Sequence, residues 1–306
     1  MDIAAYLLDC KGICLSIQQR AAVEAPVGTV LLLAVPGAGK TTVLAARIAR
    51  LLTQEGEAPE SILTLTFGRE SVRDLRRRWE ALFGELIPRP PALSTIHSLC
   101  YRLLGERAAE EGARLPELLE EDWEGQGIFG DFYRRETGLP LTGDAFRRMR
   151  NAMGYCVNME LSPRQARALD SQLPGFSRLR EEYAAWKREN HRMDFDDMLL
   201  SAHALLREDP GFAARVRGRY RHILVDEAQD LSRLQHSIIR QIAGDSLFMV
   251  GDEDQSIYGF RGADPQGMAR FWLGGSPVPP AAPDVSQPSG AGAVPGDGEI
   301  PAARLA

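Results

Sequence analysis

Lysine is scarce in this chain. Of its 36 basic residues only Lys11, Lys40 and Lys187 are lysines, so the setting of each is informative. Lys40 lies in Ala34-Val35-Pro36-Gly37-Ala38-Gly39-Lys40-Thr41, between an apolar run at 30–33 and a helical pattern over 43–52. A strand, a glycine-bearing turn and a helix start aim backbone N–H groups and the positive end of the helix at an anionic phosphate. In such a loop Lys40 reaches the β- and γ-phosphates of ATP, and the Thr41 hydroxyl holds Mg²⁺. Pro36, Gly37, Ala38, Gly39 and Thr42 complete the candidate nucleotide contacts. Ala34 stands where the strict pattern has glycine, and the alternative reading is a chance Gly-Lys-Thr turn.

Nearly two hundred positions later, Ile223-Leu224-Val225-Asp226-Glu227-Ala228-Gln229-Asp230 places two acids at the end of an apolar run. In a parallel sheet the carboxyl ends of strands face the ligand crevice. There Asp226 coordinates Mg²⁺ bound to ATP and Glu227 polarises the attacking water, the two roles that phosphoryl transfer to water requires. The bland alternative is that the acids begin the next helix, where negative charge is favourable.

These groups need a scaffold that carries strand ends to one edge. Apolar, β-branched runs at 30–35, 62–67, 92–96, 223–225 and 247–250 alternate with amphipathic stretches, which predicts an α/β fold with a parallel sheet flanked by helices. Between 103 and 190 no strand signal is visible. Phe176, Leu179, Tyr183 and Trp186 share one helical face there, so the expectation is a helical insert. The expected organisation is an α/β, phosphate-binding domain of residues 1–102 plus 191–273, an insert of 103–190, and a disordered Pro/Gly/Ala-rich tail of 274–306.

Composition narrows the classes further. The chain has 306 residues, 44% hydrophobic, and can bury a real core. Its net charge is −6 and its pI about 5.5, so nucleic-acid binding must rest on a local surface. Four cysteines form neither a disulfide scaffold nor a zinc pattern, which suggests a reduced, cytoplasmic setting. The apolar run at 30–35 is far shorter than the roughly 20 residues that span a bilayer, so no membrane partner is expected.

A third block, Val250-Gly251-Asp252-Glu253-Asp254-Gln255-Ser256-Ile257-Tyr258-Gly259-Phe260-Arg261-Gly262-Ala263-Asp264, resembles the third motif of the UvrD/Rep family of superfamily-one DNA helicases. The block Val225 to Asp230 resembles that family's second motif. Ala34 to Thr42 resembles its first, which also commonly opens with alanine, and 15–23 resembles its adenine-recognising start, with Gln19 in the glutamine's place. The resemblance covers roughly residues 15–273. It implies a RecA-like P-loop NTPase domain with an inserted helical subdomain, an ATP- and Mg²⁺-dependent helicase of 3′→5′ polarity, and single-stranded DNA or single-/double-strand junctions as partner.

By the same resemblance, Phe67, His97, Tyr258 and Phe260 touch or stack on unpaired bases, and Arg261 pairs with a phosphate or base. Stacking tolerates any base sequence, as translocation requires. Gln255 is expected to sense the γ-phosphate, and Arg69 follows a strand-end block tied to DNA grip. Two positions depart from the family pattern: Thr42 replaces a common arginine, and Gly68-Arg69 replace Thr-Asn. Too few residues follow Asp264 for a second RecA-like domain, which needs on the order of 100 or more, so the expectation is an N-terminal half, whether a truncated product, a fragment or a subunit completed by a partner chain, with activity impaired in isolation. A non-catalytic nucleotide- and DNA-binding module, or a small-molecule P-loop kinase, are the alternatives. The acids Asp194, Asp196 and Asp197 look metal-like but are read as a helix cap and start.

Overall fold

The computed structural model describes residues 1–35, 37–119 and 126–252, together with the backbone pairing of Arg304 and Leu305. Helices α1 (Ile3–Lys11) and α2 (Ile17–Glu24) precede strand β1 (Thr29–Ala34), which leads into α3 (Lys40–Thr53). Strand β2 (Ile62–Thr66), α4 (Arg69–Phe83), β3 (Ala92–Thr95) and α5 (Ile96–Glu111) follow. A short β4 (Glu117–Leu118) opens the helical region of α6 (Gln126–Thr137), α7 (Gly143–Asn158), α8 (Pro163–Arg167) and α9 (Phe176–Glu189), and β5 (Arg192–Met193) closes it. The chain continues through α10 (Phe195–Glu208), α11 (Pro210–Arg219), β6 (His222–Val225), α12 (Arg233–Ile242) and β7 (Ser246–Gly251), with β8 at Arg304–Leu305.

The main sheet runs in the order β3-β2-β6-β7-β1-β8, and its pairings are parallel. Strand side chains alternate between faces, and here each face is covered. In β1, Leu31 and Leu33 enter a core with α5, α10, α11 and α12, while Leu32 and Ala34 enter a second core with α1, α2, α3 and α4. Two covered faces explain why the segment reads as an unbroken apolar run rather than an alternating one. Because the strands are parallel, the residues following β1, β2, β3, β6 and β7 all emerge at one edge. The parallel α/β sheet is therefore as the sequence pattern predicts, to within a residue or two at each strand end.

The helical region buries its own cluster, including Phe129 and Phe132 of α6, Met149 and Met153 of α7, and Phe176, Leu179 and Tyr183 of α9. The expected boundary at 102 falls inside α5, whose Leu103 and Leu104 belong to the core under the main sheet. Where no strand was read from the sequence, β4 pairs in parallel with β5, so the chain leaves and re-enters the sheet domain side by side. A two-residue strand has no periodicity to read. The acids at the return do what the sequence suggests: Asp194 caps α10 and accepts from Asp197 N–H at 2.9 Å, while the Asp197 carboxylate accepts from Asp194 N–H at 3.0 Å. Of the tail, the described part is β8, beside Leu33 and Ala34.

Candidate nucleotide and DNA site

The phosphate loop is shaped by glycine. Gly37 and Gly39 have φ of 76° and 75°, in the left-handed region where a side chain is strained. A Cβ on Gly39 would in addition stand 2.9 Å from Gln19 Nε2. Gly39 is the N-cap of α3 and has no side chain to cap the helix, and within the first turn the Thr42 N–H donates to Gly39 O at 2.9 Å. Lys40 and Thr41 are the first two residues of that helix, and both are half-buried.

Gln19 is held against this loop by both ends of its amide. Its Oε1 accepts from Ser16 N–H at 2.8 Å, and its Nε2 donates to Ala38 O at 2.8 Å. The helix that presents it is anchored by the buried Arg47 of α3. That guanidinium donates to the carbonyls of Ala22, Val23, Ala25 and Pro26 and lies 4.8 Å over the Phe248 ring. Burial pushes its pKa down to about 10, which leaves it charged at neutral pH. These bonds satisfy the carbonyls at the C-terminal end of α2 and lock it to α3. Thr42 turns inward, is 5% exposed, and accepts from Arg78 of α4 at 2.8 Å.

The acids sit across the edge. Asp226 follows β6, is 5% exposed, and continues the sheet by donating its N–H to Leu65 O at 2.8 Å. Burial, then the neighbouring Glu227 charge, pushes its pKa up to about 6. Glu227 itself has φ 49°, a left-handed conformation uncommon for a residue with a side chain and a mark of stored strain. Its Oε2 lies 3.3 Å from Lys40 Nζ and accepts from Gln229 Nε2 at 2.7 Å. Gln229 Oε1 in turn accepts the N–H of Asp252, just past β7, at 3.0 Å. Asp230 is a third acid of this group, raised to about 6 by burial and then by Glu227.

Three carboxylates thus face one lysine, and the charge they carry suits a divalent cation. Among the described residues no cluster of three or more His, Cys, Asp or Glu side chains forms a metal cage of its own. That donor set fits Mg²⁺, which is bound by one or two carboxylates together with substrate phosphates. Thr41 and Asp226 are the residues that would hold it.

Further along the same edge, Phe67 is half-buried after β2 and Arg69 is exposed at the start of α4. His97 lies in the first turn of α5, and burial pushes its pKa down to about 4, so it is neutral at pH 7. Its ring meets Phe195 edge-on at 5.6 Å. Phe195 is 38% exposed, and Tyr101, one turn beyond His97, is 46% exposed. Neither aromatic was singled out from the sequence. Phe195 was hidden among acids read for their charge, and Tyr101 belongs to no motif. Gln229 and Asp230 lay inside a motif that was read for its first two acids only. Pro36, Gln255, Tyr258, Phe260 and Arg261 lie outside the described residues.

A cavity of about 350 Å³ lies elsewhere, between α7, α9 and α10, lined by Arg150, Tyr183, Lys187 and Asp194 among others. Among the described residues no helix is long and apolar enough to cross a membrane.

Comparison with known proteins shows the family. Residues 15–272 match the UvrD/REP helicase N-terminal domain. The chain is 34% identical over 260 residues to the ATP-dependent DNA helicase UvrD1 of Mycobacterium tuberculosis, covering 80% of this chain and 34% of the relative. It is 34% identical over 291 residues to DNA helicase II of Escherichia coli, covering 89% and 37%. It is 30% identical over 263 residues to the ATP-dependent DNA helicase PcrA of Staphylococcus aureus, covering 83% and 35%. The chain therefore spans about a third of the length of the curated relatives it matches. Phosphate loop, acidic strand end and parallel sheet occur together within the matched region, and the chain belongs to the UvrD/REP helicase family.

Proposed function

We propose that this domain binds ATP with Mg²⁺ at the Lys40 edge, binds single-stranded DNA along the same edge, and hydrolyses ATP as one half of a 3′→5′ helicase motor. The observation that carries the reading is the 3.3 Å approach of Lys40 to Glu227, residues 187 positions apart, beside the buried Asp226. A triphosphate offers Lys40 a stronger anionic partner. As the ammonium turns to the β- and γ-phosphates, Glu227 is released to take the proton of a water aimed at the γ-phosphorus. Mg²⁺ supplies neutralisation of the phosphate oxygens, with Thr41 and Asp226 as its protein ligands. Gln19, fixed to Ala38, borders the loop on the side expected to meet the base.

The DNA track runs past Phe67, Arg69 and His97, with Tyr258, Phe260 and Arg261 assigned to it by the family resemblance, as Gln255 is to γ-phosphate sensing. Phe195 joins that track through its contact with His97. Neutral His97 and exposed rings suit stacking on bases, and this local surface accounts for DNA binding by an acidic chain. Unwinding further requires a second RecA-like domain, in this protein or a partner chain, to close over the nucleotide.

The test is titration of the chain with a fluorescent ATP analogue in Mg²⁺, wild type against Lys40→Ala. Loss of a charge-assisted contact is expected to weaken binding by about 10–100-fold. Equal affinity in the two proteins overturns the reading.

A further inference from the structure

One buried side chain joins the Lys40–Glu227 pair to the end of β7 at Asp252. Gln229 lies in a single turn of 3-10 helix at Ala228–Asp230, between β6 and α12, and is 2% exposed. Its amide has only one orientation compatible with its neighbours. The Asp252 N–H can only donate, so it must meet Oε1, which leaves Nε2 to donate to the acceptor-only carboxylate of Glu227. The line of contacts is therefore continuous, from the peptide after β7 through Gln229 to Glu227 Oε2 and on to Lys40 Nζ.

Strand order makes this line short. Strand β7 lies between β1, which leads to the phosphate loop, and β6, which leads to the acids. Asp252 accordingly emerges between the two, and the sequence runs on from it into Gln255, Tyr258, Phe260 and Arg261. A buried amide with both ends engaged is costly to unpair, so a shift of the Asp252 peptide must carry Gln229 with it. The left-handed backbone at Glu227 means that its carboxylate is aimed by these side-chain contacts rather than by a relaxed main chain.

We infer that Gln229 is a positioning residue that aims the Glu227 carboxylate and couples it to the strand end at Asp252, so that DNA and nucleotide sense each other through one amide. This rests on the function proposed above. Linkage makes the coupling measurable without turnover: saturating oligo-dT changes the affinity for a fluorescent ATP analogue in Mg²⁺, and the analogue changes DNA affinity by the same factor.

In the wild-type chain that factor is expected to be about fivefold or more. In Gln229→Met, which keeps the volume but loses both bonds, it falls to near one. The ratio is the readout, and a purely structural role would lower the melting temperature without altering it. Gln229→Glu is the second variant. It retains the acceptor for Asp252 N–H but sets a second anion against Glu227, and it too is expected to lose the ratio. A wild-type ratio that persists in a folded variant of either kind overturns the inference, as does a wild-type chain that binds both ligands with a ratio of one. A wild-type chain that binds neither ligand sinks the underlying functional reading as well.

Discussion

Lys40 and Lys187 each face three carboxylates, yet the two sites are built in opposite ways. Lys187, near the end of α9, is 7% exposed and reaches Asp194 at 2.8 Å and Asp197 at 2.6 Å. Arg150 adds a contact to Asp194 at 3.4 Å, and Asp196 accepts from Asn158. Burial works to raise the pKa of Asp194, but Lys187, the Asp197 N–H and Arg150 outweigh it and hold that carboxyl below its ordinary value. At the sheet edge Lys40 has one carboxylate, at 3.3 Å, and the Glu227 side chain is one-third exposed. The first arrangement is a closed knot that ties α9 to α10. In the second, a lysine with a single, longer contact is free to change partners, as the proposed phosphate binding would demand.

Breaking the knot is expected to have the largest effect. Lys187→Met strands the buried Asp194 charge and should cost about 3–5 kcal/mol, read as a fall in the urea midpoint. Lys40→Met, by contrast, should stay within about 1 kcal/mol, because Glu227 can turn to water. Equal losses in the two variants would erase the distinction between the two sites.

Asp226→Asn should act in the opposite direction. Its carboxyl is raised to about 6 in the folded chain, so the cost of its charge is absent below the ordinary carboxylate range and complete above pH 6. In chelator at pH 7 the variant is expected to be more stable than wild type by on the order of 2–3 kcal/mol, with the gain vanishing near pH 4. Added Mg²⁺ should narrow the difference by stabilising the wild type alone. A gain independent of pH would show that charge is not the cause.

The smallest effect is expected on the outer face of α4, where Arg73 and Glu70 form an exposed pair. Arg73→Ala should change stability by less than about 0.5 kcal/mol in the same denaturation assay. A larger loss would mean that exposed pairs matter here as much as the buried knot.

Much of the sheet was legible because a strand covered on both faces must be apolar along its length, as at 30–33 and 223–225. The boundary near 102 was not, because the apolar spacing of α5 continues through Leu103 and Leu104 without a break. Motif spacing singled out Lys40, Asp226 and Glu227, which the fold brings to one edge. It gave no role to Gln229, which has no chemistry of its own and acquires one only through the two groups it joins. Nor could it show that Thr42 faces Arg78 of another helix.

What the sequence determined by itself was the inventory: a phosphate loop shaped by Gly37 and Gly39, an acidic strand end, and alternating elements that make a parallel sheet. These are local properties, set by backbone conformation and side-chain periodicity over a few residues. Tertiary structure alone decided which charges meet. Parallel strands deliver their ends to one edge, so the 3.3 Å contact between Lys40 and Glu227 and the amide bridge from Glu227 to Asp252 depend on the order β6-β7-β1. Burial at that edge, not residue type, is what first lifts Asp226 out of the ordinary carboxylate range.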